Sequence, residues 1–184
     1  MKKIDLSIST LKANLLAPVI AFPFGGILSA LFGLAWGTDA LVGGFRKAFT
    51  VTPGWTILAG VLGIVLHELL HGIGWTLGSK SGWGTVSFGF QLKTLTPYAH
   101  IKQAITARAY RIGTALPGLT LGILPWGIAM LLGSGLWNLF GVFFTMAAAG
   151  DMMILWIIRR AQPDQLIEDH PKRVGCYLFA SEEE

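Results

Sequence analysis

Along the chain, long apolar runs free of charge alternate with short segments that hold nearly all the lysines and arginines. No charged residue occurs from Ala13 to Thr38, and Asn14 to Trp36 alone can cross the roughly 30 Å of a bilayer's hydrocarbon core. That run exceeds the apolar region of a signal peptide and reads as a first anchor that stays. A second run, from about Trp55 to Gly78, is interrupted only by His67, Glu68 and His71. Ile112 to Gly150 is again free of charge and holds two helices, with Gly133-Ser134-Gly135 as the turn. The pattern therefore predicts four spans at about 14–36, 55–78, 112–132 and 136–158. Trp36, Trp55, Trp75, Trp137 and Trp156 fall near span ends, where indole rings favour the membrane interface.

The loop between spans two and three, about 79–111, has a different rhythm. Within Thr85–Lys93, the residues Val86, Phe88, Phe90 and Leu92 alternate with small or polar ones, which is the period of a strand. Pro97 ends it, and Ile101 to Arg111 reads as a short basic amphipathic helix leading into span three. Such a strand needs its backbone groups paired, in a hairpin or with a partner strand. The predicted fold is an all-α polytopic membrane protein: a four-helix transmembrane bundle forming one membrane domain over 1–184. A short β-strand or hairpin sits in the 79–111 loop, and residues 159–184 form a cytoplasmic tail. Glycine pairs at Gly33/Gly37, Gly74/Gly78 and Gly118/Gly122 have the spacing that lets helix backbones approach closely in lipid.

Composition agrees with a bilayer as solvent. Of 184 residues, 53% are hydrophobic and only 13% charged, and the mean hydropathy is +0.60. An ordinary soluble domain carries about twice that share of charge. The net charge of +4 does not point to nucleic acid, because the basic residues sit between the apolar runs and not along one groove. Three segments (Lys2, Lys3 and Lys12; Lys80, Lys93, Lys102, Arg108 and Arg111; Arg159, Arg160, Lys172 and Arg173) hold 12 of the 14 basic residues. With four spans these share one side, so the protein is expected to be a multi-pass cell-membrane protein with both termini cytoplasmic. The single cysteine, Cys176, excludes an internal disulfide and reads as an inert thiol.

Span two carries His67-Glu68-Leu69-Leu70-His71, an HExxH motif. On a helix the two histidines share a face and can reach one metal ion, with the glutamate placed to take a proton from the water the metal activates. A third ligand is needed. Glu68 and Asp151 are the acidic residues within the spans, and acids there are costly and usually functional. His71 lies nine residues before Lys80 and Asp151 eight before Arg159, so both sit roughly 12–14 Å inside their basic anchors on spans running the same way. Asp151 is therefore the candidate third ligand.

HELLH on a membrane helix, a strand-containing loop after it and an aspartate on a later helix resemble the intramembrane zinc metalloproteases of the site-2 protease type. Arg111-Ile-Gly-Thr-Ala-Leu-Pro-Gly118 is similar to that family's Ala-Gly-Pro-containing helix start. The short chain and the Ala-Gly-Asp ending at Asp151 look still more like a small branch of zincin peptidases. The resemblance spans roughly residues 55–175. It implies one Zn2+ per chain on His67, His71 and Asp151, with Glu68 as general base, and hydrolysis of membrane or membrane-proximal peptide substrates. Two departures stand out. Gly150 precedes Asp151, where the larger family has glycine after the aspartate. The family's asparagine, two turns before that aspartate, has no counterpart, since Asn138 is thirteen residues upstream. The oxyanion-stabilising residue is thus unassigned.

His100 either hangs over the site as a transition-state or substrate contact or is a loop histidine, and His170 reads as a solvated-tail residue. The strand through Val86, Phe88 and Phe90 either offers its edge to an extended substrate or closes into a capping hairpin. The alternative function is a non-catalytic metal-binding membrane protein, either a degenerate protease holding clients or a transporter. The expected partners are a membrane protein or peptide substrate and the lipid bilayer. Substrate identity and oligomeric state are not legible in the sequence.

Overall fold

Helices form where apolar residues run longest, because only a helix satisfies every backbone group within one segment. The computed structural model describes residues 2–79, 81–92 and 96–180, so Lys80 and Lys93, two of the expected anchors, lie outside the described residues. In chain order the elements are β1 (Lys2–Ile8), α1 (Thr10–Arg46), a π-helical stretch (Lys47–Val51), α2 (Pro53–Ser79), β2 (Val86–Gln91), β3 (Thr96–Ile101) and β4 (Ile105–Thr106). There follow α3 (Ala107–Pro117), which continues through a π-helical stretch (Gly118–Ile123) into α4 (Leu124–Leu132), then α5 (Gly135–Ala147), α6 (Ala149–Ile157), β5 (Leu166–Asp169) and β6 (Val174–Ala180).

Three helices are long and apolar enough to cross a membrane, over Thr10–Val51, Pro53–Ser79 and Ala107–Leu132, and the bent pair α5–α6 makes a fourth if counted as one span. Their large apolar side chains stay largely uncovered: Leu34 is 85% exposed and Trp55 73%. Water would penalise that surface at about 25 cal/mol per Å2, and lipid does not.

Of the described residues 69% are helical and 18% are in strands, so the all-α expectation needs correcting. Three of the strands that were not expected, β1, β5 and β6, come from the two ends of the chain, and the fourth, β4, lies in the segment expected to be helix. β1, β6, β5 and β4 form an antiparallel sheet in that order, with Lys2 opposite Ala180 and Ile8 opposite Val174. β2 and β3 form a separate antiparallel hairpin, with Val86 opposite Ile101 and Gln91 opposite Thr96. The helix expected from Ile101 begins only at Ala107. Ile101 ends β3, where its N–H is taken by Asp169 Oδ2 at 2.9 Å, and Ile105 pairs with Ile167 in the sheet.

The chain divides into two units. One comprises Met1–Leu16, Glu68–Leu116 and Gly150–Glu184. Its core joins Trp75 of α2, Ile101 of β3, Tyr110 of α3, Ile158, Ile167 of β5 and Cys176 of β6, all buried. Burial and the nearby Asp169 carboxylate push the Cys176 thiol up to about 12, in keeping with an inert thiol. Trp75 is 4% exposed and belongs to this core, which corrects its expected place at a membrane interface. His170 is not a solvated-tail residue either. Its Nδ1 accepts the N–H groups of Lys172 and Arg173 at 3.1 and 3.0 Å, and so holds the turn between β5 and β6.

The other unit comprises Ala17–His67 and Pro117–Ala149. Here close packing depends on glycine: a Cβ on Gly44 would fall 2.2 Å from the Gly135 carbonyl carbon, and one on Gly122 would fall 2.5 Å from Thr145 Oγ1. Gly118 meets the Ala148 methyl at 3.1 Å, so the Gly118/Gly122 pair is a packing face as expected. Gly33/Gly37 is not one. Gly37 has φ +83 and breaks α1 just beyond Trp36. Gly133, at φ 64, closes α4 at the expected turn and donates its N–H to Ala129.

Candidate metal centre

The centre lies at the middle of α2 and the start of α6. The boundary between the two units passes between His67 and Glu68, inside an unbroken helix, so the turn of α2 itself sets His67 beside His71. The metal-binding atoms of His67, His71 and Asp151 all lie within 4.8 Å of one another, with both histidines buried and Asp151 half-buried. Glu68, next in sequence to His67, is half-buried.

His71 has both ring nitrogens committed. Nδ1 stands 3.0 Å from the carbonyl oxygen of Gly113 on α3, and Nε2 stands 3.3 Å from Asp151 Oδ1. A carbonyl only accepts, so Nδ1 carries the hydrogen. Nε2 then meets a carboxylate with its lone pair, which requires a proton or a metal cation between them. Ligand atoms about 2.0–2.2 Å from a tetrahedral zinc are separated by roughly 3.3–3.6 Å, and the Nε2–Oδ1 distance falls in that range. The donor set fits zinc: two imidazoles, one carboxylate, and a backbone carbonyl orienting one ring from outside.

Packing fixes that orientation. Trp75, one turn past His71, stacks on its ring at 5.3 Å between centroids and donates Nε1–H to the Tyr110 carbonyl at 3.3 Å. The Gly74/Gly78 pair is the face along which α2 meets α3, because a Cβ on Gly74 would lie 2.5 Å from the Gly113 Cα and one on Gly78 3.1 Å from the Ala109 Cα. Asp151 sits in the first turn of α6, where the helix dipole favours a carboxylate. Arg111 holds the far end of that helix, donating from Nη2 to the carbonyls of Ile158 and Ala161 at 2.7 and 2.6 Å.

The other sequence-predicted residues fall as follows. His100 is engaged away from the metal-binding group: its Nδ1 is 3.3 Å from Asp169 Oδ2. The hydrogen bond its imidazole donates to Asp169 holds His100 above its ordinary range against partial burial. Asp169 also accepts the Tyr110 hydroxyl. Val86 is buried, while Phe88 and Phe90 are 46% and 53% exposed. Trp83 and Phe88 stand over Gly72, the residue after His71, where an added Cβ would meet their rings at 2.8 and 3.0 Å. β2 pairs with β3 along one edge, and among the described residues its other edge has no strand partner.

Sequence reasoning missed the Gly113 carbonyl, Trp75 and the Tyr110–Asp169 pair. A backbone carbonyl leaves no mark in sequence. Trp75, at i+4 from His71, was a legible signal for stacking.

A family model described as "Putative zincin peptidase" matches residues 60–166, more than half of the chain and from before the HExxH motif to beyond Asp151. The chain belongs to this zincin-type peptidase family. No curated protein and no solved structure matches it. The family points to a zinc metallopeptidase, and His67, His71 and Asp151 form a group that could hold the metal.

Proposed function

We propose that this zincin-family protein is a membrane-embedded zinc metallopeptidase of the site-2 protease type, hydrolysing membrane or membrane-proximal peptide substrates. The observation that carries the reading is the convergence of His67, His71 and Asp151 within 4.8 Å, the histidines on a span-length apolar helix and Asp151 on the second half of the bent pair α5–α6. In this reading those three residues hold one zinc per chain, which supplies an acidified water and a polarised scissile carbonyl. Glu68 accepts the proton of the attacking water and delivers it to the leaving amine. The Gly113 carbonyl keeps the His71 tautomer that leaves Nε2 free to ligate. The open edge of β2, through Val86, Phe88 and Phe90, lies on the hairpin whose Phe88 stands over Gly72, and it offers main-chain hydrogen bonds to an unwound substrate.

Four spans, with α5–α6 as one bent span, put both termini on one side of the membrane, and the pairing of Lys2 with Ala180 supports that. The charge bias makes that side the cytoplasm. The test compares purified wild type with Glu68→Gln on a tagged membrane-peptide library. Zinc retained with peptide hydrolysis abolished is the expected result. Hydrolysis retained in Glu68→Gln excludes this mechanism. Zinc bound with no hydrolysis by wild type moves the protein to the non-catalytic, client-holding class.

A further inference from the structure

The first unit contains a cavity of about 680 Å3. One wall is the β2–β3 hairpin, which contributes Gln91, Tyr98 and His100, and another is the β5–β6 turn from Asp169 to Gly175. Ile154 of α6 also lines the cavity. It stands three residues after Asp151, so the cavity and the metal-binding group share one face of α6 within a single turn.

The lining has a definite chemical character. Lys172 and Arg173 are exposed on the turn, and His170 fixes their backbone by accepting both N–H groups. Among the described residues neither side chain makes a salt bridge. Asp169 is the one carboxylate in the lining, and its oxygens are taken by the Tyr110 hydroxyl, the Ile101 N–H and His100. Asp5, which feels the charge of Arg173, accepts the Ser7 N–H at 2.9 Å and lies outside the lining. The cavity is therefore electropositive. Phe90 and Tyr98, 53% and 47% exposed, add an aromatic wall, and Asn14 and Gln91 add amide donors and acceptors.

Resting on the peptidase reading, we infer that this cavity receives an acidic, extended, extramembrane segment of the substrate, with Lys172 and Arg173 binding its carboxylates. The amides and aromatic rings suit a peptide backbone and its side chains, and the shared face of α6 connects such a segment with the metal-binding group. An anionic lipid headgroup would use the two cations alone.

The test measures binding without turnover. Full-length Glu68→Gln protein, purified in neutral detergent, is titrated into a rhodamine-labelled decapeptide of alternating glutamate and alanine, and into its glutamine and lysine counterparts. The glutamate peptide is expected to bind about tenfold tighter than the glutamine peptide at low salt, and the lysine peptide weakest. Lys172→Ala combined with Arg173→Ala is expected to erase that preference, with an unchanged melting temperature showing that the fold is intact. Equal binding of the glutamate and glutamine peptides, or a preference that survives in the double variant, overturns the inference. So does loss of glutamate-peptide binding in phosphatidylglycerol nanodiscs but not phosphatidylcholine ones, which would make the cavity a headgroup site. Because no hydrolysis is read, failure here leaves a Glu68-dependent peptidase standing, and failure of the peptidase leaves the binding result intact.

Discussion

Gly74 and Gly113 meet backbone to backbone, so closely that a Cβ on Gly74 would stand 2.5 Å from the Gly113 Cα. That contact brings the Gly113 carbonyl within 3.0 Å of His71 Nδ1. Gly74→Ala should force α2 and α3 apart, costing about 1–3 kcal/mol of stability. Loss of the hydrogen bond that orients the ring should weaken zinc binding by about 10–100-fold. Thermal melting and a chelator competition check the two effects. Unchanged zinc affinity would mean that the carbonyl does not orient the ligand.

The metal-binding group makes a direct prediction about content. Elemental analysis of detergent-purified wild type should find about one zinc per chain, and His67→Ala, His71→Ala and Asp151→Ala should each fall close to zero. Zinc retained by Asp151→Ala would call for another third ligand.

Arg111 sits far from that group in sequence, yet it caps the helix that carries Asp151 in its first turn. Its Nη2 serves the carbonyls of Ile158 and Ala161 just past the helix end, where the Ile158 carbonyl also accepts the Ala161 N–H at 3.0 Å. Arg111→Met should cost about 2–3 kcal/mol. Amide exchange should quicken first across 158–161, and Arg111→Lys should recover only part of the loss. Uniform exchange along α6 in Arg111→Met would rule out the capping role.

The spans and the HExxH motif were legible because both are local: a charge-free run and an i, i+4 pair need no knowledge of the rest of the chain. Asp151 was singled out by its expected depth relative to His71, and the structure brings its carboxylate within 4.8 Å of the two histidines. The four-stranded sheet was not found, although Ile4, Leu6 and Ile8 alternate with Lys3, Asp5 and Ser7. The lysines read as a membrane anchor, and β1 is stabilised only by partners more than 160 residues away. The same distance hid Asp169, which meets Tyr110 and His100 only once β5 is in the sheet.

His100 and Asp169 make the sheet sensitive to pH. The imidazole is raised from its ordinary 6.5 chiefly by its hydrogen bond to Asp169. Its stabilising contribution is therefore complete below about 6.5 and lost as pH climbs through the raised value. Because His100 is partly exposed, the effect should stay within a few tenths to about 1 kcal/mol. The melting-temperature gap between wild type and His100→Asn should be widest near pH 5.5 and narrow toward pH 9. A gap that widens with pH would contradict the pair.

The pairing of the first strand with the last sets a timetable for biogenesis. Lys2 leaves the ribosome 178 residues before its partner Ala180, a wait of about 9–36 s at about 5–20 residues per second. Through that interval β1 has no strand to join, while α1 and α2 can already enter the bilayer. His71 likewise waits 80 residues for Asp151. A nascent chain therefore cannot bring His67, His71 and Asp151 together until synthesis has reached α6, well after α1 and α2 are complete.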